Sequence, residues 1–437
     1  TMISFMSLLF HVLPRVREMG LLISFGILVA FMLSIFLIPS VLVLVPRPTY
    51  LSKKGSFSGI NSFLVWTGGI FTKFRIPVLI TLLGVGTWLS LGLFQLKVDT
   101  NPDHYFPEKS KIRIANAEIS EAFGGSTQMN ILVEGDIFDP KILSNIELLT
   151  DHIKETHEIV TKSYSIVDVI KKMHSGFNDG DPKFDIIPDD PELIAQYMFL
   201  YSITGDGDDF DLILDDIENP SYTQIFIRLK EVQTFTISEI VDDTKQFIQA
   251  NFYDESPMEL TGGATLLGVL TKMVLRGQLL SLIYSILIIF IIMTIVFRSI
   301  TGGLLATLPM VASVIMMFGM MGYLDIPLNM TTSLLTGILV GVGVDYTVHF
   351  LWHLRDHIRE GDSMDDAIAN TLRISGKGIL FNGLSVVVGF SALLFSVFVP
   401  VQIFGILVMG SISFCLFGAL ATLPALTSLI NPKFLYR

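Results

Sequence analysis

Seven long apolar runs constrain the fold of this chain more than any other feature. A helix needs roughly 20 apolar residues to cross the hydrocarbon core of a bilayer. Residues 2–13 read as the end of one span, and full-length runs lie at 21–45, 76–94, 279–297, 302–323, 328–352, 378–398 and 403–430. Hydrophobic residues make up 51% of the chain and charged residues only 16%, a balance that a soluble domain does not have. The sequence therefore predicts an α-helical polytopic membrane protein.

Charge is distributed unevenly along the chain. The net charge is −12, but residues 97–276 carry 33 Asp and Glu against 15 Lys and Arg, a balance of −18 that leaves +6 for the remainder. Within this acidic module, 128–134 and 222–229 alternate like strands, whereas 139–155 and 237–252 have helical character. We therefore expect an α/β domain between membrane helices. Nucleic-acid binding is excluded as a function class, because phosphates require a basic face.

A basic loop predicts the orientation in the membrane. The loop from residue 46 to residue 77 contains no acid and five cations, namely Arg47, Lys53, Lys54, Lys73 and Arg75. By the positive-inside rule this loop is cytoplasmic. Alternation of the spans then places residues 97–276 on the outer side, periplasmic or extracellular, of the cytoplasmic (inner) membrane. The short outer turn with Arg15 and Arg17 departs from the rule.

The two ends of the chain resemble each other. Residues 4–46 align without gaps to residues 389–431, and the matches include a glycine and a proline, Gly20 with Gly405 and Pro39 with Pro424. Chance similarity of apolar helices explains shared Leu and Val more readily than shared Gly and Pro. We therefore expect an internal duplication of the kind found in transporters.

This repeat divides the chain into five predicted segments. They are the last two transmembrane helices of a first repeat, the first of them partial (1–45), a cytoplasmic linker (46–75), the first transmembrane helix of a second repeat (76–96), the extracytoplasmic α/β domain (97–276) and five further transmembrane helices (277–437). The apolar start lacks the basic region of a signal peptide. We expect the rest of the first repeat, with any relay acid of its own, to lie upstream.

One carboxylate stands inside the apolar run 328–352. A charge within hydrocarbon is costly, so the acid, Asp345, indicates a proton or ion pathway. On a helix His349 lies one turn further along the same face, and Tyr346 lies on an adjacent face. An acid at depth, an imidazole nearer water and a phenol predict a proton relay, in which protonation removes a buried charge and lets the helix repack. The alternative is that Asp345 only hydrogen-bonds a neighbouring helix.

Other residues near the acid predict close packing and hydrogen-bonding partners. Gly337, Gly341 and Gly343 precede Asp345 and let another helix approach closely. Asn382 and Ser385, on the following span, are possible relay partners. No Walker-type loop and no Cys/His cluster with metal spacing occur, and the single Cys415 permits no internal disulfide. The sequence therefore indicates no cofactor and no metal.

The pattern Gly341-x-Gly343-x-Asp345-Tyr346-x-x-His349 resembles that of the resistance–nodulation–division (RND) superfamily, in particular the lipid and hydrophobe exporters of the MMPL and hopanoid-transporter type. In that family a Gly-x-x-x-Asp-Tyr/Phe motif lies on the fourth helix of each six-helix repeat. A large extracytoplasmic domain follows the first helix of each repeat, and residues 97–276 occupy that position. The chain is thus similar to the C-terminal repeat of a two-repeat RND protein.

The resemblance implies export of lipids or other hydrophobic or amphiphilic molecules across or out of the cytoplasmic membrane, driven by the proton motive force. The protein would be a secondary active transporter rather than an enzyme, with Asp345 accepting the proton and Tyr346 and His349 assisting. Its implied partners are the hydrophobic substrate and membrane lipids, and the layout suits monomers, dimers and trimers. A lipid- or sterol-sensing receptor and a protein-translocation accessory of the same superfamily remain alternatives.

Overall fold

The computed structural model describes residues 2–44, 58–204, 212–216, 220–230, 233–252 and 257–436. Residues 46–57 of the predicted cytoplasmic linker therefore lie outside the described residues, and so do the cations Arg47, Lys53 and Lys54. The chain forms two compact units. The first comprises Thr1–Lys97 and Met273–Arg437, and the second comprises Val98–Lys272.

Helices account for most of the described chain. In chain order they are α1 Met2–Met6, α2 Pro14–Leu44, α3 Ser58–Lys73, α4 Arg75–Gln95, α5 Lys111–Phe123, α6 Pro140–Thr156, α7 Ile166–Phe177, α8 Pro191–Thr204, α9 Thr234–Asn251, α10 Gly262–Phe297, α11 Ile300–Tyr323, α12 Met330–Arg359, α13 Met364–Phe395 and α14 Val399–Ile430. The strands are β1 Thr127–Glu134, β2 Val160–Tyr164, β3 Tyr222–Leu229 and β4 Met258–Thr261.

Seven of these helices, α2, α4 and α10 to α14, are long and apolar enough to cross a membrane. Each contains the greater part of one apolar run predicted from the sequence. The largest difference is α10, which begins at Gly262, directly after β4, rather than at residue 279. The predicted fold class, an α-helical polytopic membrane protein with an α/β domain, is confirmed.

Helices α11 and α12 form the centre of the first unit. In the apolar window of α12, 67% of the residues are buried, against 6% in α2 and in α4. Small residues allow α11 to approach α4 closely, since a Cβ atom on Gly319 or Gly322 would overlap the backbone at Leu89 or Gly92. In a bilayer, where the solvent is as apolar as the side chains, such close contact is a main source of helix association.

The repeat predicted from the sequence has a matching local geometry. A 3₁₀ turn, Ser7–Phe10, precedes α2, and another, Ala392–Phe395, precedes α14. A Cβ atom on Gly20 would lie 2.7 Å from Leu8 Cβ, and one on Gly405 would lie 2.9 Å from Leu393 Cβ. The two glycines therefore allow the same close approach between a helix and the turn before it.

The second unit is built on a four-stranded antiparallel sheet of order β2-β3-β1-β4. With α6 between β1 and β2, and α9 between β3 and β4, this is a split β-α-β arrangement of the ferredoxin-like type. Alternate residues of β1 face the core, which is why Met129, Ile131 and Val133 are buried while their neighbours are not. Helix α6 begins at a proline, and the Asp139 side chain caps it by accepting the backbone N–H of Lys141.

Candidate functional site

Helix α12, which contains the Gly341-x-Gly343-x-Asp345-Tyr346 motif, begins with a polar segment that is largely buried in the bundle. Asn329 caps the helix by accepting the N–H groups of Thr331 and Thr332 at 2.9 and 3.0 Å. The following hydroxyls are buried but bond within their own helix, as Thr336 does with the Ser333 carbonyl. These hydrogen bonds satisfy buried polar side chains in the first turns of the helix.

Asp345 lines a cavity of about 300 Å³ between α12 and α13. His349 and His353 lie on the same stripe of α12, one and two turns further along. The complete lining is Asp345, Tyr346, His349, His353, Ile374, Ser375, Gly378, Ile379 and Asn382. Asp345 is half-buried and His349 is exposed, so the acid is the deeper of the two.

Tyr346 is buried more completely than the acid beside it. Only 1% of its surface is exposed, and its hydroxyl has no hydrogen-bond partner within the described part of the chain. A buried hydroxyl without a partner costs roughly 1–3 kcal/mol. Tyr346 thus lines the cavity while its hydroxyl is buried without a partner among the described residues.

The two candidate partners on α13 differ in their positions. Asn382 lines the cavity together with Asp345. Ser385 is not part of the lining, and its Oγ donates to the Phe381 carbonyl at 2.7 Å on its own helix. The structure therefore brings Asn382 to the acid's cavity and leaves Ser385 bonded to the exposed backbone of α13.

Two of the three motif glycines permit close packing of α12. A Cβ atom on Gly337 would lie 3.3 Å from Leu8 Cδ1, and one on Gly343 would lie 2.8 Å from the sulfur of Cys415. Gly341 is also buried. The helix with the acid therefore packs tightly against the 3₁₀ turn before α2 and against α14.

The cavity includes residues that the sequence reasoning did not propose. A wide π-helical turn, Leu372–Gly376, supplies Ile374 and Ser375. Such turns are frequent at functional sites, and the Ser375-Gly376 pair at the end of this one is a sequence at which helices become irregular. The position of Gly378 could have been predicted, because it lies one helical turn before Asn382 and therefore on the same face of the helix. Across the described residues no group of three or more His, Cys, Asp and Glu side chains is arranged to hold a metal ion.

Comparison with protein families gives a match over the part of the chain that contains this cavity. Residues 221–435 match the model of the MMPL family. The match covers just under half of the chain, and over these residues the chain is similar to the MMPL family. The resemblance noted from the Gly-x-Gly-x-Asp-Tyr pattern is thereby confirmed.

Two known proteins extend the comparison. MJ1562 of Methanocaldococcus jannaschii, which is described as a membrane protein, is 25% identical over 362 residues, covering 80% of this chain and 89% of its own length. The hedgehog release protein Disp from the water bear Hypsibius dujardini has a similar fold, with a TM-score of 0.68 and 12% identity. That match covers 98% of this chain and 57% of the Disp chain, so the present chain spans somewhat more than half of that protein.

These findings support a multi-pass membrane protein that is similar in sequence to the MMPL family over residues 221–435 and similar in fold to the Disp structure.

Proposed function

We propose that this protein exports lipids or other hydrophobic or amphiphilic molecules across or out of the cytoplasmic membrane, driven by protons that pass through Asp345. The observation that carries the proposal is the cavity between α12 and α13, which joins an acid, two imidazoles, a phenol and an amide in a membrane-spanning helix pair. Carboxylates in the middle of a membrane are costly, and they commonly serve proton or ion pathways.

In the proposed cycle Asp345 is the proton acceptor, and His349 and His353 lead from it toward the end of α12. Tyr346 contributes a hydroxyl that stabilises the carboxylate, and Asn382 offers an amide from α13. Protonation removes the charge from Asp345, which lowers the cost of burying it. Helices α12 and α13 then repack, and this repacking is the step that we couple to movement of the substrate.

The proposed orientation follows the basic loop of the sequence. The second unit lies on the outer side of the cytoplasmic membrane, and the end of α12 at Arg359 lies inside, as the positive-inside rule favours. The hydrophobic substrate and membrane lipids are the proposed partners. The protein acts as a secondary active transporter.

The test is proton flux into proteoliposomes that contain the full-length protein, under an imposed pH gradient, with candidate lipids added in turn. We expect substrate-dependent flux in the wild type and its loss in Asp345→Asn. Asp356→Asn is the matched control, because it makes the same change on the same helix outside the cavity. Equal flux in wild type and Asp345→Asn would refute the role of the acid.

A second candidate rests on the fold. The similar structure is that of a hedgehog release protein, which favours an accessory role in moving a protein out of the membrane. A folded wild type that conducts no protons with any lipid, but that binds a protein through its second unit, would favour this candidate.

A further inference from the structure

A second polar site lies in the first unit, away from the cavity of Asp345. Its first member is His11, which is completely buried between the 3₁₀ turn Ser7–Phe10 and α2. The ring atom Nδ1 accepts the backbone N–H of Leu13 at 3.1 Å. A ring nitrogen that accepts carries no proton, so the proton of the neutral ring is on Nε2. That Nε2 is buried and has no hydrogen-bond partner among the described residues.

The second member is Gln278 on α10, of which 3% is exposed. Its Nε2 donates to Thr336 Oγ1 on α12 at 2.9 Å, and Thr336 Oγ1 donates in turn to the Ser333 carbonyl. Because the hydroxyl proton of Thr336 is already used, the atom that faces it must be the amide nitrogen. The other amide atom, Oε1, is buried without a donor in the described part of the chain.

The two unpaired atoms belong to neighbouring parts of the bundle. The His11 ring packs against Gly277, the residue before Gln278, so closely that a Cβ atom there would overlap the ring. The unpaired donor, His11 Nε2, thus belongs to a ring that packs on Gly277 of α10, and the unpaired acceptor, Oε1, belongs to the next residue, Gln278. Each unpaired buried group costs roughly 1–3 kcal/mol, and a single buried water bonded to both removes both costs.

This polar site and the acid are separated by apolar side chains. Thr336 precedes Asp345 by nine residues, which is about 14 Å along a helix. Between them, Leu8 and Phe5 pack on Gly337 at 3.3 and 3.5 Å from the position of a Cβ atom. The cavity of Asp345 extends the other way, toward His353.

We propose that His11, Gln278 and Thr336 form a water-binding site on the proton's route to Asp345, and that Leu8 and Phe5 close this route in the present conformation. The inference rests on the proposed function, since it assigns a second part of the same pathway. His11 holds the water and does not shuttle the proton, because its Nδ1 is occupied by the Leu13 N–H. The proton moves along water when Leu8 and Phe5 separate from Gly337.

The first test is proton flux through the full-length protein in proteoliposomes. His11→Phe keeps a ring but removes the donor, and we expect flux to fall about tenfold with the fold retained. His11→Gln restores a donor near the position of Nε2, and we expect it to recover most of the flux. Leu8→Ala should increase proton leak without substrate, and the added change Asp345→Asn should abolish that leak. Asp345-dependent flux that is unchanged in folded His11→Phe would overturn the water site and leave the proposed function standing.

The second test reads the water directly and does not depend on transport. A short X-ray pulse converts bound water into hydroxyl radicals, which label side chains beside it. We expect label in the peptide that contains His11, and less label in Gln278→Leu. A buried His11 peptide without label in the wild type would refute the site, whether or not the protein conducts protons.

Discussion

At the scale of single residues, Asp345 was the most predictable part of the candidate site, and Ser375 was among the least. A lone carboxylate in an apolar run is visible in the sequence because its burial is costly. The spacing of a helical turn predicts His349 beside it, and the polar residues of the following span predict Asn382 and Ser385. His349 and Asn382 line the same cavity, and Ser385 does not. Ser375 reaches the cavity through a π-helical turn. The adjacent Ser375-Gly376 pair indicates an irregular helix but does not specify a π-helical turn.

Tyr346 offers a prediction in which stability and activity change in opposite directions. Because its buried hydroxyl is unpaired in the described chain, we expect Tyr346→Phe to leave the free energy of unfolding unchanged or raise it by about 1 kcal/mol. If the proposed relay is correct, proton flux should fall. Denaturation in detergent and flux in proteoliposomes measure the two effects.

Tyr323→Phe is the matched control for that prediction. The Tyr323 hydroxyl donates to the Trp88 carbonyl at 2.8 Å, so its removal should lower the free energy of unfolding by about 0.5–1.5 kcal/mol. Equal destabilisation by the two substitutions would contradict the assignment of an unpaired hydroxyl at Tyr346.

Asp99 gives a pH-dependent prediction in the second unit. Burial raises the pKa of Asp99, but the hydrogen bond from His104 at 2.5 Å and the Asn101 N–H outweigh burial, so the pKa lies below its ordinary value. The carboxylate therefore stabilises the folded state at pH above the unfolded pKa of about 3.9. This stabilisation is lost as the pH falls through the lower pKa of the folded state.

Asp99→Asn should consequently reduce the free energy of unfolding at neutral pH by about 1–3 kcal/mol, and it should flatten the loss of stability below pH of about 4. Melting temperature across a pH series checks both effects. The exposed Asp189→Asn serves as the control and should behave like the wild type. An Asp99→Asn variant with the wild-type acid dependence would show that another group causes it.

At the scale of helices and strands, the elements that could be predicted were those with a clear alternation of apolar residues or a long apolar run. Strand β3 begins and ends where its alternation predicted, and β1 differs by one residue. The short strand β2 went unrecognised, because it lies at the sheet edge and shows little alternation of burial. Helix α10 extends beyond its apolar run because its first turns belong to the second unit, where polar residues are compatible with a helix.

The paired glycines Gly20 and Gly405 yield a prediction about both copies of the repeat. Alanine at either position would bring a Cβ atom within 3 Å of a leucine Cβ in the preceding 3₁₀ turn. We expect Gly20→Ala and Gly405→Ala each to destabilise the protein by about 1–3 kcal/mol through overpacking. Gly26→Ala, on the same helix as Gly20 but with nothing within 4 Å, should be neutral or slightly stabilising in a thermal melt.

At the scale of the whole molecule, the single cysteine makes the proposed orientation testable. The thiol of Cys415 is buried, so the wild type should resist a membrane-impermeant maleimide. Ser144→Cys places a thiol on an exposed position of the second unit, and Glu360→Cys places one just beyond α12. In intact cells we expect label on the first variant only. Label on Glu360→Cys without permeabilisation would reverse the orientation.

The matching turns before α2 and α14 have a consequence for how such a chain evolves. His11 and Ser396 occupy equivalent positions with nearly the same backbone, φ −69° and ψ 146° against φ −64° and ψ 145°. The two turns thus have the same backbone while their side chains differ. Because this backbone accepts both an imidazole and a hydroxymethyl group, we expect natural sequences to vary independently at these two positions.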